Sequence, residues 1–228
     1  MGSKRKINED ALLARPEAGL WVVADGMGGH AAGDVASNAV IHPLSLMERP
    51  PELADFVEAV EAALMSVNQQ LRDYANDELG GRTVGSTVVS LLLSGRTGVC
   101  LWAGDSRLYR LRGGQLTRLS RDHSAVQEMV EAGVISQQEA DHHPKSNVIT
   151  RAVGGGEHLF VDSAVFAPEA GDTYLLCSDG LYNEVPEDSI RRKLGLAPDE
   201  AVTRLIDEAL HNGGRDNVTV IVVRLGEA

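Results

Sequence analysis

The chain has 228 residues, of which 43% are hydrophobic and 24% charged, and carries a formal net charge of −12. That length supports one sizeable core, and the acidic balance argues against DNA or RNA as the main partner, because phosphate binding needs a basic stripe that no part of the sequence supplies. The longest apolar runs, such as 20–24 and 88–93, are too short to span a membrane and no charged-then-apolar leader precedes them, so the expectation is one cytoplasmic domain, residues 1–228, with no membrane contact.

In chain order, Leu20-Trp21-Val22-Val23-Ala24 reads as a buried strand that runs into Asp25-Gly26. A helix follows from Gly33 to about Met47, with Pro43 a point where it can kink. Leu53, Phe56, Val57, Val60, Leu64, Val67, Leu71 and Tyr74 recur at helical spacing with Glu58, Glu61 and Arg72 off the stripe, the pattern of a helix covering a sheet. The runs 86–94, 97–103, 107–112 and 115–119 are strand-like and divided by Ser-Gly, Gly-Asp-Ser and Gly-Gly turns, which predicts an antiparallel meander. A polar, helix-prone insert occupies about 123–147. Strands are expected around 159–166 and 173–177, helices over about 186–194 and 198–211, and a last strand over 218–225. Helix pairs between runs of antiparallel strands predict an α+β fold, a four-layer α-β-β-α sandwich with two central, mostly antiparallel sheets. Cys100 and Cys177 each sit inside an apolar run and read as buried thiols, not as a disulfide framework.

Four acidic motifs stand at the edges of apolar stretches: Asn8-Glu9-Asp10, Asp25-Gly26-Met27-Gly28-Gly29-His30, Ser178-Asp179-Gly180 and Asp216-Asn217. If the fold gathers them, their carboxylates repel and lose hydration, and hard divalent cations are the usual means of neutralising such a group. The sequence holds no Gly-x-x-x-x-Gly-Lys-Ser/Thr loop, no Gly-x-Ser-x-Gly elbow and no His-Glu-x-x-His helix, which removes the commonest nucleotide, esterase and zinc-protease chemistries. A cysteine-based phosphatase needs an Arg after five intervening residues, yet Ser106 follows Cys100 and Asn183 follows Cys177 at that spacing. Metal-assisted hydrolysis is the chemistry these residues support best.

Arg5-x-x-Asn8-Glu9-Asp10, Asp25-Gly26-Met27-Gly28-Gly29-His30, Gly85-Ser86-Thr87, Gly104-Asp105-Ser106-Arg107, Asp122-His123-Ser124, Asn147-x-Ile149-Thr150-Arg151-Ala152-x-Gly154, Ser178-Asp179-Gly180 and Asp216-Asn217-x-Thr219 occur in this order. With them the chain resembles the bacterial type 2C metal-dependent Ser/Thr protein phosphatases, the PPM family, from Arg5 to Leu225. The resemblance implies Mn²⁺ or Mg²⁺, two ions with a third in bacterial relatives. Asp25 would bridge the two ions with the Gly26 carbonyl on one of them, Asp179 and Asp216 would ligate the second, and Glu9 and Asp10 would act through bound waters. Asp105 with Asp179 would take the third ion, and Arg5 would hold the phosphate with its planar fork. A hydroxide shared between the metals would attack phosphorus in line.

Animal relatives carry a histidine where this chain has Met27, and the spacing of His30 does not match that role, so the resemblance leaves the leaving-group proton to a metal-bound water. His123 opens the insert, where bacterial relatives have a flap beside the active site, and reads either as part of that site or as a cap for the helix that follows. Ser86 and Thr87 read as sheet contacts, and Thr150 and Arg151 as structural groups under the site. The implied partners are phosphorylated proteins and a counteracting Ser/Thr kinase, with type VI secretion control one pathway such an enzyme serves, and the implied state is a monomer. The alternatives are a small-molecule phosphomonoesterase using the same centre and an inactive phosphatase-like binding protein.

Overall fold

The computed structural model describes residues 2–5, 7–28, 32–140 and 143–226. Along the chain come β1 (Asp10–Arg15), β2 (Leu20–Met27), α1 (Ala32–Leu46) and α2 (Leu53–Glu78), then β3 (Gly85–Ser86), β4 (Val88–Ser94), β5 (Thr97–Ala103), β6 (Arg107–Arg112) and β7 (Gln115–Arg118). The short helices α3 (Ala125–Glu131) and α4 (Gln137–Ala140) follow, then β8 (Asp162–Phe166), β9 (Thr173–Cys177), α5 (Asp179–Tyr182), α6 (Glu187–Leu194), α7 (Pro198–His211) and β10 (Val220–Arg224). One sheet has the order β1-β2-β4-β5-β8 with β3 paired to β2, the other the order β10-β9-β6-β7, and every strand pairing among the described residues is antiparallel.

Strand alternation sorts the apolar side chains into three layers. Leu20, Val22 and Ala24 of β2 point outward with Leu92, Leu101 and Ala103, and meet Val40, Leu44, Phe56, Val60 and Leu64 of α1 and α2. Val23, Val89, Leu91, Cys100 and Trp102 point the other way, against Leu108, Tyr174, Leu176, Ile221 and Val223 of the second sheet. That sheet's outer face, with Tyr109, Leu175, Cys177 and Val220, is covered by Ile190, Leu194, Leu205 and Ala209 of α6 and α7. The result is the expected α-β-β-α sandwich, in which each fully buried Leu or Val is worth about 1.5–3 kcal/mol. Charge placement supports the outer helices: α6 starts with Glu187 and Asp188 and ends with Arg191, Arg192 and Lys193, and α7 opens on Pro198.

The continuous meander expected over 86–119 is corrected. β4 and β5 form a hairpin in the first sheet, whereas β6 and β7 form one in the second. The chain changes sheet at Gly104-Asp105-Ser106, where Gly104 has φ +115 and a Cβ would lie 2.6 Å from the Cβ of Thr87; only glycine takes that corner without strain. β1 and the single-turn helix α5 were not expected from the sequence. Residues 123–147 contain α3 and α4, and their ends are tied by a Ser124–Ile149 bridge and by the Ala125 N–H donating to the Val148 carbonyl at 2.9 Å.

Candidate active site

Sheet order brings the ends of β1 and β2 beside the ends of β9 and β10, at one end of the sandwich. Asp10 and Asp25 are register partners across the β1–β2 pair. The Ser178 hydroxyl donates to Asp10 Oδ2 at 2.8 Å and accepts the Thr219 N–H at 3.1 Å, joining the two sheets at this point. Asn217 accepts the Glu9 N–H at 2.9 Å and donates to the Ile7 carbonyl at 3.2 Å, so it holds the Asn8-Glu9-Asp10 segment in place. On β2, the Asp25 carbonyl accepts from the Thr87 N–H at 2.8 Å and from the Ser86 hydroxyl at 3.1 Å, while the Asp25 N–H donates to Thr87 Oγ1 at 3.1 Å. Ser86 and Thr87 are therefore sheet contacts, as expected. Gly26 donates to the Glu9 carbonyl at 3.0 Å and leaves no room for a side chain: a Cβ there would lie 1.9 Å from the Gly33 carbonyl oxygen.

Crowding shows in the acidities. Burial first, then the charges of Asp10, Asp179, Asp105 and Asp216, push Asp25 well above the ordinary aspartate value. Burial likewise raises Asp10, with the hydrogen bond from Ser178 opposing it. Asp179 is pushed up to about 7 by burial and by the charges of Asp105, Asp216 and Asp10, and Asp105 up to about 6 by burial and by Asp122. Buried side by side, these carboxylates repel one another and lose hydration, so the group holds its protons more tightly than free aspartates do. The site opens toward solvent on its other side, where side-chain exposure rises from 16% at Glu9 to 34% at Asp216 and 45% at Arg5. Arg5 donates to Asp216 Oδ2 at 2.6 Å and to Glu9 Oε2 at 3.3 Å.

These donors are all oxygen and carry more negative charge than their burial tolerates, which suits a hard divalent cation. Among the described residues no three Asp, Glu, His or Cys side chains converge on one metal position. An ion resting on one or two carboxylates and completed by water is the mode that Mg²⁺ favours. Beside the carboxylates lies a cleft of 810 Å³ between the α3–α4 segment and the β9–α6 connection, with Asp105, Asp179, Tyr182, Arg118, Gln127 and Asn147 in its wall.

A family model described as protein phosphatase 2C matches residues 3–206. The chain belongs to the protein phosphatase 2C family. Serine/threonine protein phosphatase PstP of Mycobacterium tuberculosis is 40% identical over 225 residues, which cover 97% of this chain and 43% of that protein, so this chain spans less than half the length of that relative. PppA, described as a key regulatory component of T6SS in Pseudomonas aeruginosa, is similar with a TM-score of 0.90 at 46% identity, over 98% of this chain and 93% of that one. The catalytic domain of PstP in complex with two manganese ions is similar with a TM-score of 0.88 at 36% identity, over 99% and 95% of the two chains.

In this protein phosphatase 2C chain the sequence-predicted Asp10, Asp25, Asp179 and Asp216 come together, with Glu9 and Arg5 at the open rim and Asp105 at the cleft edge. Gly29, His30 and His142 lie outside the described residues, and with them the weighing of His30 as a proton donor. His123 does not cap the following helix: Ser124 does, accepting the Gln127 N–H at 3.3 Å. The His123 ring is buried against Trp102, accepts the Gly104 N–H on Nδ1 at 3.1 Å and lies 3.2 Å from Asp162 through Nε2. Arg151 also donates to Asp162, at 2.6 Å, so both act as struts. Burial pushes both thiols up, Cys177 to about 12, leaving them unreactive. Sequence reasoning assigned no task to Ser178, Asn217 or Tyr182. The first two stand inside quoted motifs, so position was visible although purpose was not.

Proposed function

We propose that the chain is a Mn²⁺- or Mg²⁺-dependent phosphatase that removes phosphate from phosphoserine and phosphothreonine in proteins. The observation that carries this reading is the buried, crowded group of Asp10, Asp25 and Asp179 with the half-exposed Arg5 at its open side. In this reading Asp25, the Gly26 carbonyl, Asp179 and Asp216 would hold the two ions, Glu9 and Asp10 would order the surrounding water, and Asp105 with Asp179 would take a weaker third. Bound, the ions supply an acidified water near neutral pH and positive charge on the phosphoryl oxygens.

The chain's own residues do the rest. Arg5 offers its planar fork to the phosphoryl oxygens, and its pairing with Asp216 and Glu9 keeps that fork over the carboxylates. Asn217 and Ser178 fix Glu9 and Asp10, so the acidic groups meet substrate without rearranging. The cleft beside Asp179 accepts the polypeptide around the phosphorylated residue. Met27 follows Asp25-Gly26 and has no proton to give, so the departing serine or threonine oxygen takes its proton from water.

On this reading the chain works as a cytoplasmic monomer against a Ser/Thr kinase. Among the described residues no helix is long and apolar enough to cross a membrane. Its 46% identity to PppA makes type VI secretion control the pathway to examine first. The test is Mn²⁺-dependent phosphate release from a panel of phosphoserine and phosphothreonine peptides beside small phosphorylated metabolites. Higher kcat/KM on the peptides is expected; equal or faster turnover of a metabolite would overturn the protein-substrate assignment.

A further inference from the structure

Tyr182 lies three residues after Asp179 on the single turn of α5, with its ring in the wall of the cleft. The central carbon of the Arg107 guanidinium stands 3.5 Å from the centroid of that ring, a close cation–aromatic contact. Arg107 is itself locked: Nε donates to the two Asp122 oxygens at 3.0 and 3.1 Å, Nη2 donates to Asp122 Oδ2 at 2.6 Å, and Nη1 donates to the Tyr109 hydroxyl at 2.9 Å. At the far end of the ring the Tyr182 hydroxyl donates to the backbone carbonyl of Asp105 at 3.0 Å. One side chain therefore joins the turn that carries Asp105 to the turn that carries Asp179.

The Asp105 turn needs such a tie. Gly104, immediately before it, sits at φ +115, in a region where the backbone is permissive. His123 holds Gly104 through both its N–H and its carbonyl, but neither bond fixes Asp105 relative to α5. Asp105, Asp179 and Tyr182 all line the same cleft.

We infer that Tyr182 is a positioning residue: held between the Arg107 guanidinium and the Asp105 carbonyl, it fixes Asp105 against Asp179 and so sets the affinity of the weaker divalent-cation site those two carboxylates form. The inference rests on the metal-dependent reading above. Its chemistry is specific to the hydroxyl, because phenylalanine would fill the same space and keep the stack on Arg107 while leaving the Asp105 carbonyl without its donor.

The experiment is calorimetric titration of the metal-stripped protein with MnCl₂, for wild type, Tyr182→Phe, Asp105→Asn and the double variant, with a thermal melt of each. Tyr182→Phe is expected to melt as a single folded species and to keep the tight Mn²⁺ phase while weakening the weak phase between about 3-fold and about 10-fold, the span that one lost hydrogen bond gives. In the Asp105→Asn background the same substitution is expected to change nothing further. An unaltered weak phase, equal weakening of both phases, an undiminished effect without Asp105, or a wild type lacking a separate weak phase would each overturn the inference alone. A wild type that takes up no Mn²⁺ would overturn the metal-dependent reading and this inference with it.

Discussion

Asp179→Asn is expected to stabilise the metal-free protein at neutral and alkaline pH, even though it damages the site. The ordinary aspartate value is 3.8, and burial with the charges of Asp105, Asp216 and Asp10 pushes Asp179 up to about 7. A carboxyl whose pKa is raised on folding stabilises the fold below its unfolded value, and that contribution disappears as pH climbs toward the folded value. The window is therefore about pH 4 to 7, and above it the ionised group costs about 4 kcal/mol at 1.36 kcal/mol per pH unit. Asp105, Asp216 and Asp10 repel the ionised group and burial adds to its cost, and removing this one carboxylate relieves part of the total, about 2 kcal/mol. For a chain of this size that is a rise in Tm of about 4–8 °C. The assay is differential scanning calorimetry in excess EDTA at pH 4.5 and pH 8. The asparagine variant should melt near wild type at pH 4.5 and above it at pH 8, and Mn²⁺ should reverse the order by stabilising wild type more. An equal shift at both pH values, or a variant less stable than wild type at pH 8 in EDTA, would refute the proposed burden of charge.

Gly26→Ala would place a Cβ 1.9 Å from the Gly33 carbonyl oxygen and 2.7 Å from that of Glu9, both backbone atoms, so urea unfolding should show a loss of at least about 2 kcal/mol. Ser178→Ala removes the donor to Asp10 and the acceptor for the Thr219 N–H, with an expected loss of about 1–3 kcal/mol in the same measurement. Arg5→Lys keeps the charge but loses the fork; because Arg5 is 45% exposed, stability should hold while kcat/KM on a phosphopeptide drops about 10-fold to about 100-fold.

The elements with a sustained period were legible from sequence. The stripe from Leu53 to Tyr74 gave α2, and Thr97–Ala103, Arg107–Arg112 and Thr173–Cys177 appear as strands at the expected bounds. β1 was not, because Asp-Ala-Leu-Leu-Ala-Arg has no β-branched residue and owes its strand state to pairing with β2. α5 is a single turn, too short for a helical period to show. The hand-over between sheets at Gly104 depends on a backbone conformation that local pattern does not encode. At the site, the acidic residues were visible because each motif borders an apolar run. Their meeting depends on which strand ends the two sheets place side by side, and the bonds made by Ser178, Asn217 and Tyr182 exist only once that packing is made.

Hydrolysis of p-nitrophenyl phosphate, followed against MnCl₂ concentration for wild type and Asp25→Ala and repeated in excess EDTA, addresses the metal-held carboxylate centre most directly. The expected result is saturable Mn²⁺ activation of wild type, abolished by EDTA and restored by added metal, with almost no activity in Asp25→Ala. Hydrolysis that persists in EDTA, or that survives the loss of the Asp25 carboxylate, would contradict it.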